Sequence, residues 1–192
     1  MTQALARVAP ADGRGDDAQL IAASLEHADG FRALYDRYLP RVYRYLLSRS
    51  GSGDEAADLT QIVFTRAYHN LSHYRPGRAP FAAWLFRIAR NAAADAHRRR
   101  RTTVSWDGLP EALTATDSAQ PEVISERRER LAHLRTLLAR IAPDKRELLA
   151  LRFAGDLSSR EIAAVVGKSE AAVKKQLTRT IAQLKEYYRD EL

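Results

Sequence analysis

Apolar residues recur at three- and four-residue steps from Ala18 to Tyr188, while the strict alternation of a half-buried strand is nearly missing. This periodicity predicts an all-α chain. A first helix is expected over 17–27, with a break at 28–30 and a longer helix over 31–49, in which Pro40 should kink or interrupt the run. The Ser-Gly-Ser-Gly stretch at 50–53 reads as a turn, with Asp54 placed to cap a helix reaching residue 68. On that helix Leu59, Ile62 and Val63 cluster as the core side. A loop over 70–80, holding Pro76, Gly77 and Pro80, precedes a helix over 81–101 whose apolar stripe is Trp84, Leu85, Ile88 and Ala92.

The character of the chain then changes. Residues 102–121 carry Asp107, Glu111 and Asp117 but no Lys or Arg, and include Gly108, Pro110 and Pro121. They read as an acidic, flexible interdomain linker. Helical periodicity returns at 122, with Leu131, Leu134, Leu138 and Ile141 on one stripe. A helix starting at Pro143 follows, carrying Leu148, Leu149, Leu151 and Phe153. The expected organisation is a flexible tail (1–16), a helical domain (17–101), the linker (102–121) and a second helical domain (122–192).

The second domain ends in the most specific local signal. Over 157–184 two short helices are joined by a tight turn. Ser158 and Glu161 have the spacing of a capping box, Gly167 closes the first helix and Ser169 caps the second. Val173, Leu177, Ile181, Leu184 and Tyr188 make a stripe for burial. At about 100° per residue, Ala172, Lys175, Arg179 and, more laterally, Gln176 project away from it, beside Lys174. A helix-turn-helix of this kind can place its second helix in the DNA major groove.

The totals narrow the classes. Formal net charge is +7, which favours a polyanionic partner. Cysteine is absent, excluding a disulfide scaffold and any Cys-ligated zinc. No apolar run resembles a signal peptide or reaches membrane-spanning length, so a cytoplasmic protein without membrane insertion is expected. His27, His69, His73, His97 and His133 lack metal-ligand spacing, and no phosphate-binding glycine loop or nucleophile–base set is recognisable. No enzymatic activity, cofactor or metal is therefore expected.

Three surfaces of the first domain carry candidate chemistry. Asp58, Gln61 and Thr65 group on one side of the 54–68 helix. An acidic and amide face on a basic protein suits a protein partner, although plain solvation explains it as well. Arg87, Arg90, Arg98 and Arg101 lie in a broad band on the 81–101 helix, longer than a helix-ending charge cluster requires, and favour contact with a nucleic-acid backbone. The loop before that helix supplies His73, Tyr74, Arg75 and Arg78. These could stack on an unpaired base, or Tyr74 could simply pack the loop down.

With these residues placed, the chain resembles bacterial sigma factors of the extracytoplasmic-function (ECF) group, which keep only the second and fourth conserved regions. The resemblance rests on FRALYDRYLPRVYRYL, DLTQIVFTRAY, FAAWLFRIARNAAADAHRRRR and LSSREIAAVVGKSEAAVKKQLTRTIAQLK, in that order. It implies a factor that binds core RNA polymerase and directs it to promoters to initiate transcription. Asp58, Gln61 and Thr65 would dock on the clamp helices of the largest subunit, and the second domain on the flap of the second subunit. His73, Tyr74, Arg75 and Arg78 would hold a base flipped from the minus-ten element, and Arg87, Arg90, Arg98 and Arg101 would contact that element's phosphates. Ser169, Ala172, Lys174, Lys175, Gln176 and Arg179 would read the minus-thirty-five element, and an anti-sigma factor would be a partner. Similar factors often have Gly-Thr where this chain has Ala171-Ala172, and Ser-Arg where it has Lys175-Gln176, so the family's commoner upstream element does not carry over to it. The alternative is a free-standing helix-turn-helix regulator, which leaves the Asp58/Gln61 face and the arginine helix unexplained.

Overall fold

A computed structural model describes residues 14–26, 30–101, 133–134 and 136–190. The expected linker at 102–121, the start of the second block at 122, and Leu131 lie outside the described residues. Helix α1 (Arg14–Glu26) begins within the stretch expected to be a tail. Helices α2 (Gly30–Ser50), α3 (Gly53–Asn70) and α4 (Phe81–Arg101) follow, with a 3-10 turn at Leu71–His73 between α3 and α4. Beyond the linker come α5 (Pro143–Leu149), α6 (Ser159–Val166) and α7 (Glu170–Asp190). Among the described residues every regular element is helical.

Helix α2 runs through Pro40 without interruption, so the second of the two outcomes expected of that proline does not occur. Pro40 is exposed, so a carbonyl deprived of its amide partner there can be hydrated. Leu34 and Tyr38 before it, and Val42, Tyr45 and Leu46 after it, are buried and fix both halves of the helix to the core. The cap of α3 is also not the expected residue: Ser52, in extended conformation, accepts from the Glu55 amide, and Asp54 lies in the first turn. There its charge still suits the positive end of the helix.

Helix α1 is tied to α2 through Asp17, which accepts from Arg37 Nη1 at 2.8 Å and from the Tyr38 hydroxyl at 2.5 Å. Helices α2, α3 and α4 then pack around Leu34, Tyr45, Leu46, Val63, Leu85 and Phe86. Fully burying such side chains contributes about 1.5–3 kcal/mol each. Helix α4 is buried far beyond the expected stripe. Phe81, Ala82, Ala83, Leu85, Phe86, Ala89, Ala92, Ala93 and Ala96 are all buried, whereas Trp84 and Ile88 are only half-buried. The run of alanines lets neighbouring helices approach α4 from two sides, and α6 of the second domain occupies one of them.

In the second domain Leu137 and Ile141 are buried, while Leu134 is exposed, which moves the expected stripe by one step. Helix α5 starts with Pro143 in its first turn and widens into a π turn over Ala150–Ala154. That turn aims Leu151 inward and leaves Phe153 at 57% exposure. The helix-turn-helix forms as its local signals require. The Ser158 amide donates to Glu161 Oε2 at 2.8 Å and the Glu161 amide to Ser158 Oγ at 3.3 Å. Gly167 adopts φ 71°, a left-handed conformation that a side chain would strain, and the Ala172 amide donates to Ser169 Oγ at 3.2 Å. The stripe on α7 is buried at Val173 and Leu177, half-buried at Ile181 and Leu184, and exposed at Tyr188.

Candidate nucleic-acid interface

Asp58, Gln61 and Thr65 stand on the outer side of α3, all exposed. The packing of Leu59, Val63 and Phe64 against the core dictates this orientation. The three line a shallow groove with Ile62 and Arg66. Ile62, expected in the core, is therefore a surface residue at 36% exposure. It sits on the flank of the helix, where the core does not reach, and gives the polar face an apolar centre. An apolar centre within a polar rim is an arrangement that a protein partner can cover.

The loop behaves differently from one reading of it. Tyr74 is 8% exposed, its hydroxyl donates to the Ala79 carbonyl at 2.9 Å, and its ring packs on Phe81 and Trp84 at 5.5 and 5.4 Å. Burial raises its phenol above the ordinary value. Tyr74 thus anchors the loop and does not offer its ring for stacking. His73, Arg75 and Arg78 are exposed, with Arg75 Nη1 bonded to the Ser72 carbonyl at 2.7 Å. Beside them a groove is lined by Arg66, Asn70, His73, Trp84, Ile88 and Asn91. An indole edge with two carboxamides and a guanidinium is suited to a flat, hydrogen-bonding base. Trp84 and Ile88, on the apolar stripe of the sequence pattern, are half-buried groove residues here, and Asn70 and Asn91 join them. The signal available was that both asparagines fall on the outward side of their helices, next to the loop.

The arginine band of α4 is divided. Arg98 pairs with Asp95 one turn earlier, and Asp95 also lies 3.8 Å from Arg66. Arg101 ends α4, and its side chain lies outside the described residues. Arg87 is exposed and Arg90 half-buried, and each has a partner in the second domain. Arg87 Nη2 donates to the Ala164 carbonyl in α6 at 2.6 Å, and Arg90 Nε lies 3.9 Å from Glu147 Oε1 in α5. The second domain is packed against them.

On α7, Ala172, Lys174, Lys175 and Arg179 are exposed, as is Ser169 at the helix start. Lys174 pairs with Glu170 at 2.7 Å. Gln176 is half-buried: its Nε2 donates to Asp144 Oδ2 at 2.9 Å and its Oε1 accepts from Lys168 Nζ at 3.0 Å. The outward side of the helix therefore carries three cations and one amide whose orientation is set by neighbours. Among the described residues no group of His, Asp and Glu could hold a metal ion.

Comparison with known proteins agrees with this layout. Residues 34–103 match Sigma-70 region 2, and residues 131–184 match Sigma-70, region 4. The chain is 32% identical over 176 residues to the ECF RNA polymerase sigma factor SigD of Mycobacterium tuberculosis, covering 88% of this chain and 82% of that protein. The chain belongs to the ECF sigma factors. It is also 35% identical over 167 residues to the ECF sigma factor BldN of Streptomyces coelicolor, where the match takes in 84% of this chain but 62% of that longer protein. Among solved structures, this sigma factor is similar to CnrH in complex with the cytosolic domain of CnrY, with 26% identity, a TM-score of 0.64, and coverage of 91% of this chain and 96% of that one. No described helix of the sigma factor is long and apolar enough to cross a membrane.

Proposed function

We propose that this sigma factor divides its work between a region 2 domain at 17–101 and a region 4 domain at 122–192, joined by the acidic segment 102–121. Asp58, Gln61 and Thr65, centred on Ile62, dock on the clamp helices of the polymerase largest subunit, and the region 4 domain docks on the second-subunit flap. The groove of Asn70, His73, Trp84 and Asn91, with Arg75 and Arg78 on the loop that follows His73, takes a base flipped from the minus-ten element, while Arg87, Arg90, Arg98 and Arg101 hold its phosphates. Ser169, Ala172, Lys174, Lys175, Gln176 and Arg179 face the minus-thirty-five element. The exposed, part-apolar groove on α3 carries this reading, because a free-standing DNA-binding regulator has no use for it.

Each domain alone binds modestly, and tethering both to polymerase makes the second contact intramolecular. Unstacking the duplex costs a few kcal/mol per step, offset by base capture and phosphate contacts. The chain performs no covalent chemistry in this scheme and works in the cytoplasm, where polymerase is. An anti-sigma factor covering the α3 groove would hold it inactive, and the CnrH complex with the cytosolic domain of CnrY is a precedent for a similar chain held by a second protein. The test is to add the chain to sigma-free core polymerase and measure transcript initiation on a promoter library. Specific initiation is expected; no binding to core, or binding without initiation, refutes it.

A further inference from the structure

One carboxamide of the helix-turn-helix is engaged at both ends by its own chain. Gln176 projects laterally from α7 and is half-buried, unlike Ala172, Lys175 and Arg179, which are exposed. Its Nε2 donates to Asp144 Oδ2, in the first turn of α5, at 2.9 Å. Its Oε1 accepts from Lys168 Nζ, in the turn before α7, at 3.0 Å. A carboxamide reads a base by turning its oxygen and nitrogen to the edge together, as in the paired contact of Asn or Gln with adenine. Here each end already meets an ionised partner, and hydrogen bonds to ionised groups are the stronger kind. Turning the amide toward a base would break both.

The same amide governs the charge of the lysine. Lys168 and Asp144 are both exposed and opposite in sign, yet each is bonded to the amide and not to the other. Gln176 stands between them as a spacer. An ammonium group has three protons and accepts nothing, so with one donated to Gln176 two remain for an outside acceptor. Lys168 directly precedes Ser169, the cap of α7. In a helix-turn-helix the start of the second helix is the part nearest DNA, and groups that flank the groove meet phosphate oxygens. We propose that Gln176 is a positioning residue and not a base reader: it holds the Lys168 ammonium beside α7, clear of the Asp144 carboxylate, as a contact to a backbone phosphate of the upstream element. Base selection then falls to Ala172, Lys175 and Arg179. The inference rests on the reading of α7 as the helix that faces the minus-thirty-five element, and it removes Gln176 from the residues that choose the sequence.

The test uses holoenzyme assembled from the full chain and core polymerase. Its probe is a set of promoter duplexes randomised over the upstream element, with selected bases and affinities read at several salt concentrations. Lys168→Ala should weaken binding to all sequences alike, about threefold or more, and lower the salt slope by about one contact, with the selected bases unchanged. Gln176→Ala should do the same, because Lys168 can then close on Asp144. Asp144→Ala in the Gln176→Ala background should restore affinity and slope, by more than Asp144→Ala alone raises those of the parent chain. A mere loss of helix stability would not be rescued in this way, and melting followed by circular dichroism shows whether each variant stays folded. The inference is overturned by a Gln176→Ala holoenzyme that accepts more bases at one position, by a Lys168→Ala holoenzyme with unchanged affinity and slope, or by failure of the Asp144→Ala rescue. Lys175→Ala and Arg179→Ala should each relax selection at one position of the element. If neither does, the reading of α7 as the upstream reader fails, a result distinct from relaxation by Gln176→Ala alone.

Discussion

The hydroxyl of Tyr45 donates to Glu147 Oε1 at 2.6 Å across 102 positions of sequence, inside a seam where both residues are buried. A carboxylate removed from water is stable only when hydrogen-bonded and paired. Tyr45, Arg49 and Arg90 together meet that requirement.

Tyr45→Phe should lower stability by about 2 kcal/mol, since a hydrogen bond to a charged group is lost from a buried site. Burial and the neighbouring Glu147 raise the Tyr45 phenol well above its ordinary value near 10, and burial with Asp17 does the same for Tyr38. A phenol whose folded-state value is raised holds its proton more tightly folded than unfolded. Its contribution is complete below the unfolded value and is lost as pH rises past it toward the folded one. Chemical denaturation should show stability falling above about pH 10, less steeply in Tyr45→Phe. An unchanged slope in the variant would assign the loss elsewhere.

The helix-turn-helix depends on its caps. Ser158→Ala removes one half of the capping box and should cost about 1 kcal/mol. Gly167→Ala forces a side chain into a left-handed turn at φ 71° and should cost a similar amount. Melting of the intact chain followed by circular dichroism measures both, with Ala171→Ser as a surface control.

Trp84 and Tyr74 touch but should differ in function. Trp84→Ala takes the flat wall from the groove and should reduce open-complex formation by tenfold or more, on the order of one lost base stack. Tyr74→Phe loses only the bond to the Ala79 carbonyl and should cost about 1 kcal/mol of stability while leaving promoter opening near normal. Permanganate footprinting of the opened strands, beside a melt, separates the two; equal opening defects would mean that the loop, not the indole, captures the base.

Gln61→Ala should weaken core polymerase binding several-fold, on the order of 1 kcal/mol for one polar contact at the edge of an interface. Arg179→Ala should leave that binding intact and impair use of the upstream element. Fluorescence anisotropy with labelled chain, and run-off transcription on promoters with and without the upstream element, give the two readings. Equal loss of core binding in both variants contradicts the division.

What could be read from the chain alone was whatever is settled between near neighbours. The capping box of Ser158 and Glu161, the left-handed Gly167, the cap at Ser169 and the outward placement of Asp58, Gln61 and Thr65 all follow from spacing on a single helix or turn. The bounds of α4 and the order of the motifs followed in the same way. The errors came where a distant element decided. Pro40 stays within α2 because buried residues on both sides of it bind that helix to its neighbours. Tyr74 is an anchor because Phe81 and Trp84 fold back over it. Ile62 is exposed because the core takes Leu59, Val63 and Phe64 and leaves that flank of α3 uncovered. The occupation of Arg87 and Arg90 by Ala164 and Glu147 could not be read from periodicity at all. A helical wheel shows which side a guanidinium leaves from, but only the packing of α6 on α4 supplies the carbonyl it meets.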